Sequence, residues 1–382
     1  MERSRHTPTR ILVAGSGAIG SAIARDLVAD GTRHITLADL DLKRLDRAAA
    51  NTHAHTRQAD LRDPITVARL ASEYDIVINA LPSALGYQTL RTLIDAGRSV
   101  VDVSFMAEDP LTLDNLARER GVVAVVDCGL APGLSHMIVG SAASQMSSVE
   151  RVAIYVGGLP AARGTLFDYK APFSPLDVIE EYTRPARIID AGRLSIREAL
   201  SDPELLDVEG VGVLEAFLTD GLRTLTRTID AQFMAEKTLR YPGHRAAMVT
   251  LREGGLFSTA TVDLGGCRIR PLDVTASLLF PRWQYEDDEP DVTILRIVVQ
   301  GKRDDRDVRC VAELLDRYDS ATHLRSMSRT TAYPAASVAR LVERSEFTPG
   351  VHPPESIGRL GLLDAVLQDL ETRGVHVSIT QR

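Results

Sequence analysis

The first residues able to do chemistry form a glycine-rich stretch close to the start of the chain. They match the pattern GxGxxG and are Gly15, Ser16, Gly17, Ala18, Ile19 and Gly20. The stretch follows the apolar run ILVA and opens an amphipathic segment, as a strand-to-helix turn does. In such a turn Gly15 permits a tight bend, Gly17 lets the backbone approach a pyrophosphate, and Gly20 allows close helix packing. Because the diphosphate then meets free N–H groups at the helix start, the pattern predicts a dinucleotide site.

An acidic residue after the second apolar run indicates which dinucleotide is bound. Asp39 ends the run HITLA, nineteen residues after Gly20. A carboxylate there accepts hydrogen bonds from the adenosine ribose and repels the additional phosphate of NADP. Lys43 and Arg44 could pair with that phosphate, although solvated helix positions explain them more simply. The sequence therefore predicts the cofactor NAD, with a Rossmann domain that holds no cofactor as the alternative.

Polar residues also follow the next predicted strands. Asp60 ends the third strand, where we expect the adenine, and Asn79 and Leu81 close the fourth. Residues 102–104, with Asp102 and Ser104, close the fifth strand near the expected nicotinamide, and Asp127 closes the sixth. Because ligands bind at the carboxyl ends of parallel strands, these residues should border the cofactor. A turn or helix cap is the structural alternative for each of them.

The elements that must position these residues form two kinds of domain. Short β-branched runs alternate with amphipathic helical stretches up to about Asp127, which predicts α/β: a Rossmann doubly wound parallel sheet over residues 1–133. From about Arg151 the strands are longer and helices lie among them, which predicts an α+β substrate and oligomerisation domain with a mainly antiparallel sheet over 134–333. Residues 334–382 are predicted as C-terminal helices that return to the Rossmann domain.

Composition excludes several classes of function. A net charge of −8 argues against a general nucleic-acid binder, and no apolar run reaches the length of a membrane span. The first residues, MERSRHTPTR, lack the apolar core of a secretory signal. Three cysteines without a CxxC pair indicate reduced thiols and a cytoplasmic protein. No HExxH or zinc-like spacing is present, so we expect no metal; His53 and His55 are explained by a loop.

Segments in both predicted domains carry a family resemblance. They are VINALP, VDVSFM, DCGLAPGLS, IYVGGLP, DVIEEYTRPARII, LEAFLTDGLRT, KTLRYPGH and MSRTTAY. With them the chain resembles the saccharopine dehydrogenase-like superfamily, and within it the NAD-dependent lysine 6-dehydrogenases. The resemblance implies a small amine or amino-acid substrate, a homodimer or higher homo-oligomer, and an active site in the cleft between the domains. It also implies oxidation of the lysine side-chain amine to allysine, which cyclises to a piperideine carboxylate.

Removing hydride from an amine requires that its nitrogen be deprotonated first. His244, in RYPGH, is our first candidate for the general base, because histidine titrates near neutral pH. Arg240 could clamp the substrate α-carboxylate through two parallel hydrogen bonds. Asp127 could hold the substrate amine. Each has a structural alternative: His244 could be a packed residue at a helix start, Arg240 could form an ion pair, and Asp127 could cap a turn.

Further residues are candidates for contact with substrate. Tyr169 and Tyr333 could donate a phenol hydroxyl to substrate or water, although a tyrosine in the core would look the same in sequence. Ser104 is expected to contact substrate as well as cofactor. Cys128 is not expected to be a nucleophile, because hydride transfer needs none.

Three functions remain open from the sequence. The first is a lysine-type amine dehydrogenase. The second is a related saccharopine- or opine-type C–N oxidoreductase acting on another amino acid or a polyamine. The third is an NAD-bound regulatory protein without turnover.

Overall fold

The computed structural model describes residues 8–31, 33–171 and 173–382. The prediction about the N-terminal stretch falls mainly on residues 1–7, which lie outside the described residues. The chain divides into two compact units. The first unit contains the chain up to Leu134 together with Ser328–Ile357 and Asp364–Arg373. The second contains Ser135–Met327, Gly358–Leu363 and Gly374–Arg382, so the predicted C-terminal segment 334–382 is shared between the units.

Strands and helices alternate from residue 10 to residue 125. The elements are β1 (Arg10–Ala14), α1 (Ala18–Ala29), β2 (His34–Asp39), α2 (Leu42–Thr52), β3 (His55–Gln58), α3 (Pro64–Ala71), β4 (Ile76–Asn79), α4 (Ser83–Asp95), β5 (Ser99–Asp102), α5 (Asp114–Arg120) and β6 (Val123–Val125). A 3-10 turn at Pro110–Leu113 precedes α5.

Longer strands dominate the middle of the chain. The elements are α6 (Leu134–Ser144), β7 (Ser148–Pro160), α7 (Pro175–Thr183), β8 (Ala186–Asp190), β9 (Arg193–Arg197), β10 (Glu204–Val208), β11 (Gly212–Leu218), α8 (Leu225–Thr228), β12 (Ala231–Arg240), α9 (His244–Glu253), β13 (Val262–Leu264), β14 (Cys267–Ile269), α10 (Pro271–Trp283), β15 (Asp291–Arg303) and β16 (Arg306–Arg317). A second 3-10 turn lies at Leu166–Asp168.

The last part of the chain is mostly helical but contains two short strands. The elements are α11 (Ser326–Glu343), β17 (Gly350–His352), α12 (Pro354–Arg359), α13 (Leu363–Glu371) and β18 (Ser378–Gln381). The strand at Gly350–His352 was not predicted from the sequence.

The first unit is built on a parallel sheet of seven strands in the order β17-β6-β5-β4-β1-β2-β3. This order confirms the predicted doubly wound Rossmann fold, and β17 extends it by pairing with β6. The central strands are covered on both faces, since Ile11 and Val13 on one face of β1 and Leu12 on the other are all buried. By contrast, every residue of β3 is exposed, because this strand lies at the edge and pairs only with β2.

The second unit contains a sheet of nine strands, with β10-β11-β12-β7-β15-β16-β18 in sequence and β8 and β9 attached to β12. All its pairings are antiparallel except that of β12 with β7, which confirms a mainly antiparallel second domain. Its aromatic core contains Tyr169, Tyr182, Phe217 and Trp283. Among the described residues, none of the helices has the length and apolarity needed to cross a membrane.

Candidate functional site

The glycine-rich turn after β1 holds backbone groups too close together for side chains. Gly15 adopts φ +105°, and a Cβ there would lie 2.6 Å from the carbonyl oxygen of Ala80. A Cβ at Gly20 would lie 1.9 Å from the carbonyl oxygen of Gly15. At Gly17, in contrast, a Cβ would meet no atom within 4 Å, and α1 begins there without a side-chain cap. Ala18, Ile19 and Gly20 thus begin a helix whose free N–H groups can donate hydrogen bonds to a phosphate, so the turn fits a dinucleotide.

Asp39 is held beside this turn by three donors. Its Oδ2 accepts hydrogen bonds from the backbone N–H and the hydroxyl of Ser16, at 2.8 and 3.0 Å, and its Oδ1 accepts one from the N–H of Asp41 at 3.0 Å. Asp41 caps α2 by accepting from the N–H groups of Lys43 and Arg44. The Arg44 guanidinium lies 3.5 Å from Asp41 as well. The chain at the end of β2 and the start of α2, where the ribose is expected, therefore carries two carboxylates.

Three polar side chains meet at the ends of β4 and β5. Asn79 donates to the Oδ2 of Asp102 at 2.6 Å, while the N–H and hydroxyl of Ser104 donate to its Oδ1 at 2.8 and 2.5 Å. Asp102 is fully buried, and burial raises its pKa to about 7, with the charge of Asp127 adding to the shift. The sequence predicts Asn79, Asp102 and Ser104 at these strand ends, but only the structure shows that the Asp102 carboxylate joins the other two by hydrogen bonds.

Other predicted residues of the first unit have different surroundings. Asp127 is buried after β6 with φ +51°. Burial and the nearby Asp102 and Asp127 raise the pKa of the Cys128 thiol, which keeps it protonated and unreactive. Asp60 lies at the surface, where hydrogen bonds from Arg62 lower its pKa to about 2. Leu81 is half-buried near Gly15.

In the second unit, His244 is fixed inside an aromatic cluster. Its Nδ1 lies 3.0 Å from the carbonyl oxygen of Phe167, and its Nε2 lies 2.9 Å from the hydroxyl of Tyr182. Because a carbonyl only accepts, Nδ1 carries the proton and Nε2 accepts from Tyr182. Burial, together with the charge of Arg240, lowers the pKa of His244 from 6.5 to about 3. The packing therefore does not support the predicted role as a base: neither ring nitrogen is open, and the ring stays neutral.

Arg240 is buried and makes three hydrogen bonds and one cation–π contact with groups of its own unit. It donates to Glu181 at 2.9 Å, to the carbonyl of Leu239 at 3.0 Å and to the hydroxyl of Tyr182 at 3.4 Å. Its guanidinium carbon lies 4.6 Å from the centre of the Tyr169 ring, a cation–π contact. A substrate carboxylate would have to displace Glu181 from this arginine, so the clamp predicted for Arg240 is already filled by an internal ion pair.

The predicted tyrosines are both buried. Tyr169 packs against His244 with ring centroids 5.0 Å apart, and its hydroxyl is buried without a hydrogen-bond partner in the described chain. Tyr333 is buried in α11 and belongs to the first unit. The structure thus brings together His244, Tyr169 and Arg240 in one unit, and the glycine turn, Asp39, Asn79 and Ser104 in the other.

A further buried carboxyl was missed by sequence analysis. Glu236 of β12 accepts from the Thr219 hydroxyl at 2.5 Å and from the Gly221 N–H at 3.2 Å, and burial raises its pKa to about 8. Asp220 pairs with Arg187 at 2.8 Å. These contacts tie the loop that contains Thr219 and Asp220 to β12 and β8. No group of side chains among the described residues has the make-up of a metal site.

Comparison with known proteins identifies both halves of the chain. The model of the saccharopine dehydrogenase NADP binding domain matches residues 11–125, and that of the saccharopine dehydrogenase C-terminal domain matches residues 129–375. A mouse mitochondrial alpha-aminoadipic semialdehyde synthase is 24% identical over 198 residues, which are 50% of this chain and 21% of that protein. A saccharopine dehydrogenase [NADP(+), L-glutamate-forming] of Pyricularia oryzae is 22% identical over 51% of this chain and 44% of its own length. The matches therefore span less than half of these relatives.

A solved structure shows the same fold. Saccharopine dehydrogenase (L-Glu forming) from Saccharomyces cerevisiae, in its apo form, aligns with a TM-score of 0.79 at 18% sequence identity. The alignment covers 98% of this chain and 100% of that one.

Replacing Gly17 by alanine should separate cofactor binding from folding. The new methyl group has space in the protein itself, but it would occupy the surface where a pyrophosphate must approach. Gly17→Ala should therefore weaken NAD binding at least tenfold, measured by calorimetric titration, with an almost unchanged melting temperature. Gly20→Ala is the contrast: it should destabilise the first unit, since its methyl group would overlap the backbone of Gly15. Equal NAD affinity in Gly17→Ala would show that the turn does not carry the diphosphate.

Unfolding at mildly acidic pH should reveal the buried neutral His244. Its pKa in the folded protein, about 3, is below the ordinary 6.5, so the unfolded chain takes up this proton first. The stability from this group is complete above about pH 6.5 and is lost as pH falls towards 3. Between pH 6.5 and 5 the wild type should lose about 2 kcal/mol through this group.

The His244→Gln variant should lack the pH-dependent part of the stability that comes from His244. It is measured as the difference in the free energy of unfolding by urea between variant and wild type at each pH. His376→Gln, at an exposed position of the same unit, is the matched control. If wild type and His244→Gln had parallel pH profiles, the neutral buried imidazole would be excluded.

Proposed function

Because the chain belongs to the saccharopine dehydrogenase family, we propose that it is an NAD-dependent oxidoreductase acting on the C–N bond of an amino acid, with L-lysine as the substrate. The observation that carries the proposal is the match of both family domains over residues 11–125 and 129–375, together with a glycine turn shaped for a diphosphate. The relatives described above, a saccharopine dehydrogenase and a semialdehyde synthase, support a C–N reaction on an amino acid.

The choice of NAD over NADP rests on charge around the expected adenosine ribose. Asp39 retains acceptor capacity for a ribose hydroxyl after its three internal hydrogen bonds. The 2′-phosphate of NADP would approach both Asp39 and Asp41, and Asp41 already occupies the start of α2, where a phosphate would otherwise bind. Arg44 is partly neutralised by Asp41. The family model and the fungal relative carry NADP in their names, so this chain is proposed to differ from them at Asp39 and Asp41.

The bound dinucleotide would accept the hydride, and the protein has to prepare the amine. At pH 7 only about one lysine side chain in 2,500 is neutral, which corresponds to about 4.6 kcal/mol that the site must supply. Burial of the amine lowers its pKa and contributes part of this energy. Asp127, buried beyond the end of β6, is our candidate for orienting the substrate nitrogen. His244 is assigned a positioning role, since it fixes the hydroxyl of Tyr182 next to Arg240.

Lysine is favoured over a substrate with more carboxylates by the pairing of the arginines. A saccharopine-like substrate carries additional acids that need cationic partners. In the second unit, Arg240 is paired with Glu181, Arg187 with Asp220, and Arg245 with Glu215. These three arginines are already neutralised within the protein. The saccharopine-type reaction remains the second candidate because the relatives bear that name.

Replacing Asp39 should change the cofactor preference. Asp39→Ala removes a ribose acceptor and half of the negative charge that faces the 2′-phosphate. We expect NAD to bind about tenfold more weakly and the difference between NAD and NADP to narrow, as measured by titration with each dinucleotide. Asp95→Asn, an exposed carboxylate of the same unit, should leave both affinities unchanged. Tighter binding of NADP than of NAD by the wild type would overturn this interpretation of Asp39.

Incubation of the wild type with NAD and L-lysine should produce NADH, ammonia and a cyclic imine. The rate should climb as pH rises into the alkaline range, because a larger fraction of the ε-amine is then deprotonated. A panel of lysine, saccharopine and polyamines, followed through NADH absorbance, makes the test. Faster turnover of saccharopine would replace lysine by the second candidate. Tight NAD binding without turnover of any amine would point to a regulatory protein.

A further inference from the structure

The buried amide of Asn79 has hydrogen-bond partners among the described residues on its nitrogen but none on its oxygen. Its Nδ2 donates to Asp102 at 2.6 Å and to the carbonyl oxygen of Gly86 at 3.4 Å. A carbonyl and an ionised carboxylate can only accept hydrogen bonds. The amide atom that faces them must therefore be the nitrogen, which donates, and the other atom is the oxygen. The Oδ1 of Asn79 has no hydrogen-bond partner in the described chain, and the residue is 0% exposed. A buried acceptor without a donor is rare and needs an explanation.

The location of this amide suggests which donor is missing. Asn79 pairs in register with Ala14, the residue before the glycine turn, and with Asp102 on the other side. In a doubly wound sheet the strands on the β2–β3 side of this turn receive the adenosine half of a dinucleotide, and those on the β4–β5 side receive the other half. Asp39, at the end of β2, serves the adenosine ribose in the proposed function. Asn79 therefore borders the nicotinamide half.

We infer that the Oδ1 of Asn79 accepts a hydrogen bond from the nicotinamide half of bound NAD, and that Asp102 is a positioning residue that orients this amide. The inference rests on the proposed use of NAD. Both oxygens of Asp102 already accept hydrogen bonds, Oδ2 from Asn79 and Oδ1 from Ser104, so in this inference Asp102 acts through these residues. A carboxylate in this position accepts the Nδ2 hydrogen and so turns the amide oxygen towards the cofactor. Gly86 maintains the arrangement, because a Cβ there would lie 2.3 Å from the Ser104 hydroxyl.

Protonation of Asp102 would reverse the orientation. Ser104 donates two hydrogen bonds to Oδ1, so an added proton resides on Oδ2 and points at the Nδ2 of Asn79. The two donors then repel, and the amide has to rotate. Burial raises the pKa of Asp102 to about 7; the other titratable groups that act on this site are Asp127 and Cys128, and Cys128 stays neutral. NAD affinity should accordingly be full above pH 7 and fall as the pH drops below it.

Calorimetric titration with NAD and with ADP tests the inference, because ADP lacks the nicotinamide half. At pH 8, Asp102→Asn should bind NAD about three- to tenfold more weakly and ADP as the wild type does. In an Asn79→Ala background the same substitution should have no further effect on NAD, since Asp102 acts through that amide. Asp95→Asn is the control for a lost carboxylate in the same unit. Unchanged NAD affinity in Asp102→Asn, or an equal loss for ADP, would overturn the inference.

A second measurement needs no change at Asp102, in case that variant does not fold. From pH 8 to pH 6, the affinity of the wild type for NAD should fall, whereas that of Asn79→Ala should stay level. Parallel profiles for the two proteins would overturn the inference. A wild type that binds ADP and NAD, with Asp102→Asn behaving identically, would refute the inference and leave the proposed function intact. A wild type that binds neither ligand would refute the proposed function itself.

Discussion

The first unit depends on one steric constraint, the approach of backbone to backbone at Gly15 and Gly20. A side chain at Gly20 would overlap the carbonyl of Gly15, so α1 can start directly behind β1 only when both positions lack a Cβ. This packing aims the free N–H groups of α1 past the ends of the strands. Asp39 is fixed to the same turn by a hydrogen bond from Ser16. Asn79 lies beside the turn because it pairs with Ala14 in the neighbouring strand. The polar residues at the carboxyl ends of these strands are therefore positioned by a turn whose shape is set by backbone contacts.

The two units bury charge in different ways. In the first, the carboxyl of Asp102 accepts hydrogen bonds from neutral donors only. Burial raises its pKa to about 7, so it is partly protonated at neutral pH. In the second, the guanidinium of Arg240 is balanced by Glu181 and by the face of Tyr169, and it stays charged. The fixed charge of Arg240 in turn helps to keep His244 neutral. A carboxyl with only neutral partners can respond to pH, whereas a paired guanidinium serves as a permanent structural charge.

The predictions from sequence succeeded where the signal was local and failed where it depended on distant neighbours. The strand, turn and helix around residues 10–29 are determined by consecutive residues, and so is the position of Asp39. The strand at Gly350–His352 was missed because three residues carry no periodicity, and it exists only through pairing with β6. His244 was assigned as a base from its residue type. The contacts that prevent this, Phe167 and Tyr182, lie 77 and 62 residues away in the chain.

The sequence by itself determined the Rossmann fold of the first unit, its glycine turn and the acidic residue at the end of β2, because steric limits at glycine and hydrophobic periodicity act over a few neighbouring residues. Only the tertiary structure decided which side chains are occupied by internal partners. The pairing of Arg240 with Glu181, the neutral state of His244 and the unpaired buried oxygen of Asn79 all follow from burial and from hydrogen bonds between segments far apart in the chain. Burial sets the pKa of a group and its available lone pairs, and residue type alone contains neither.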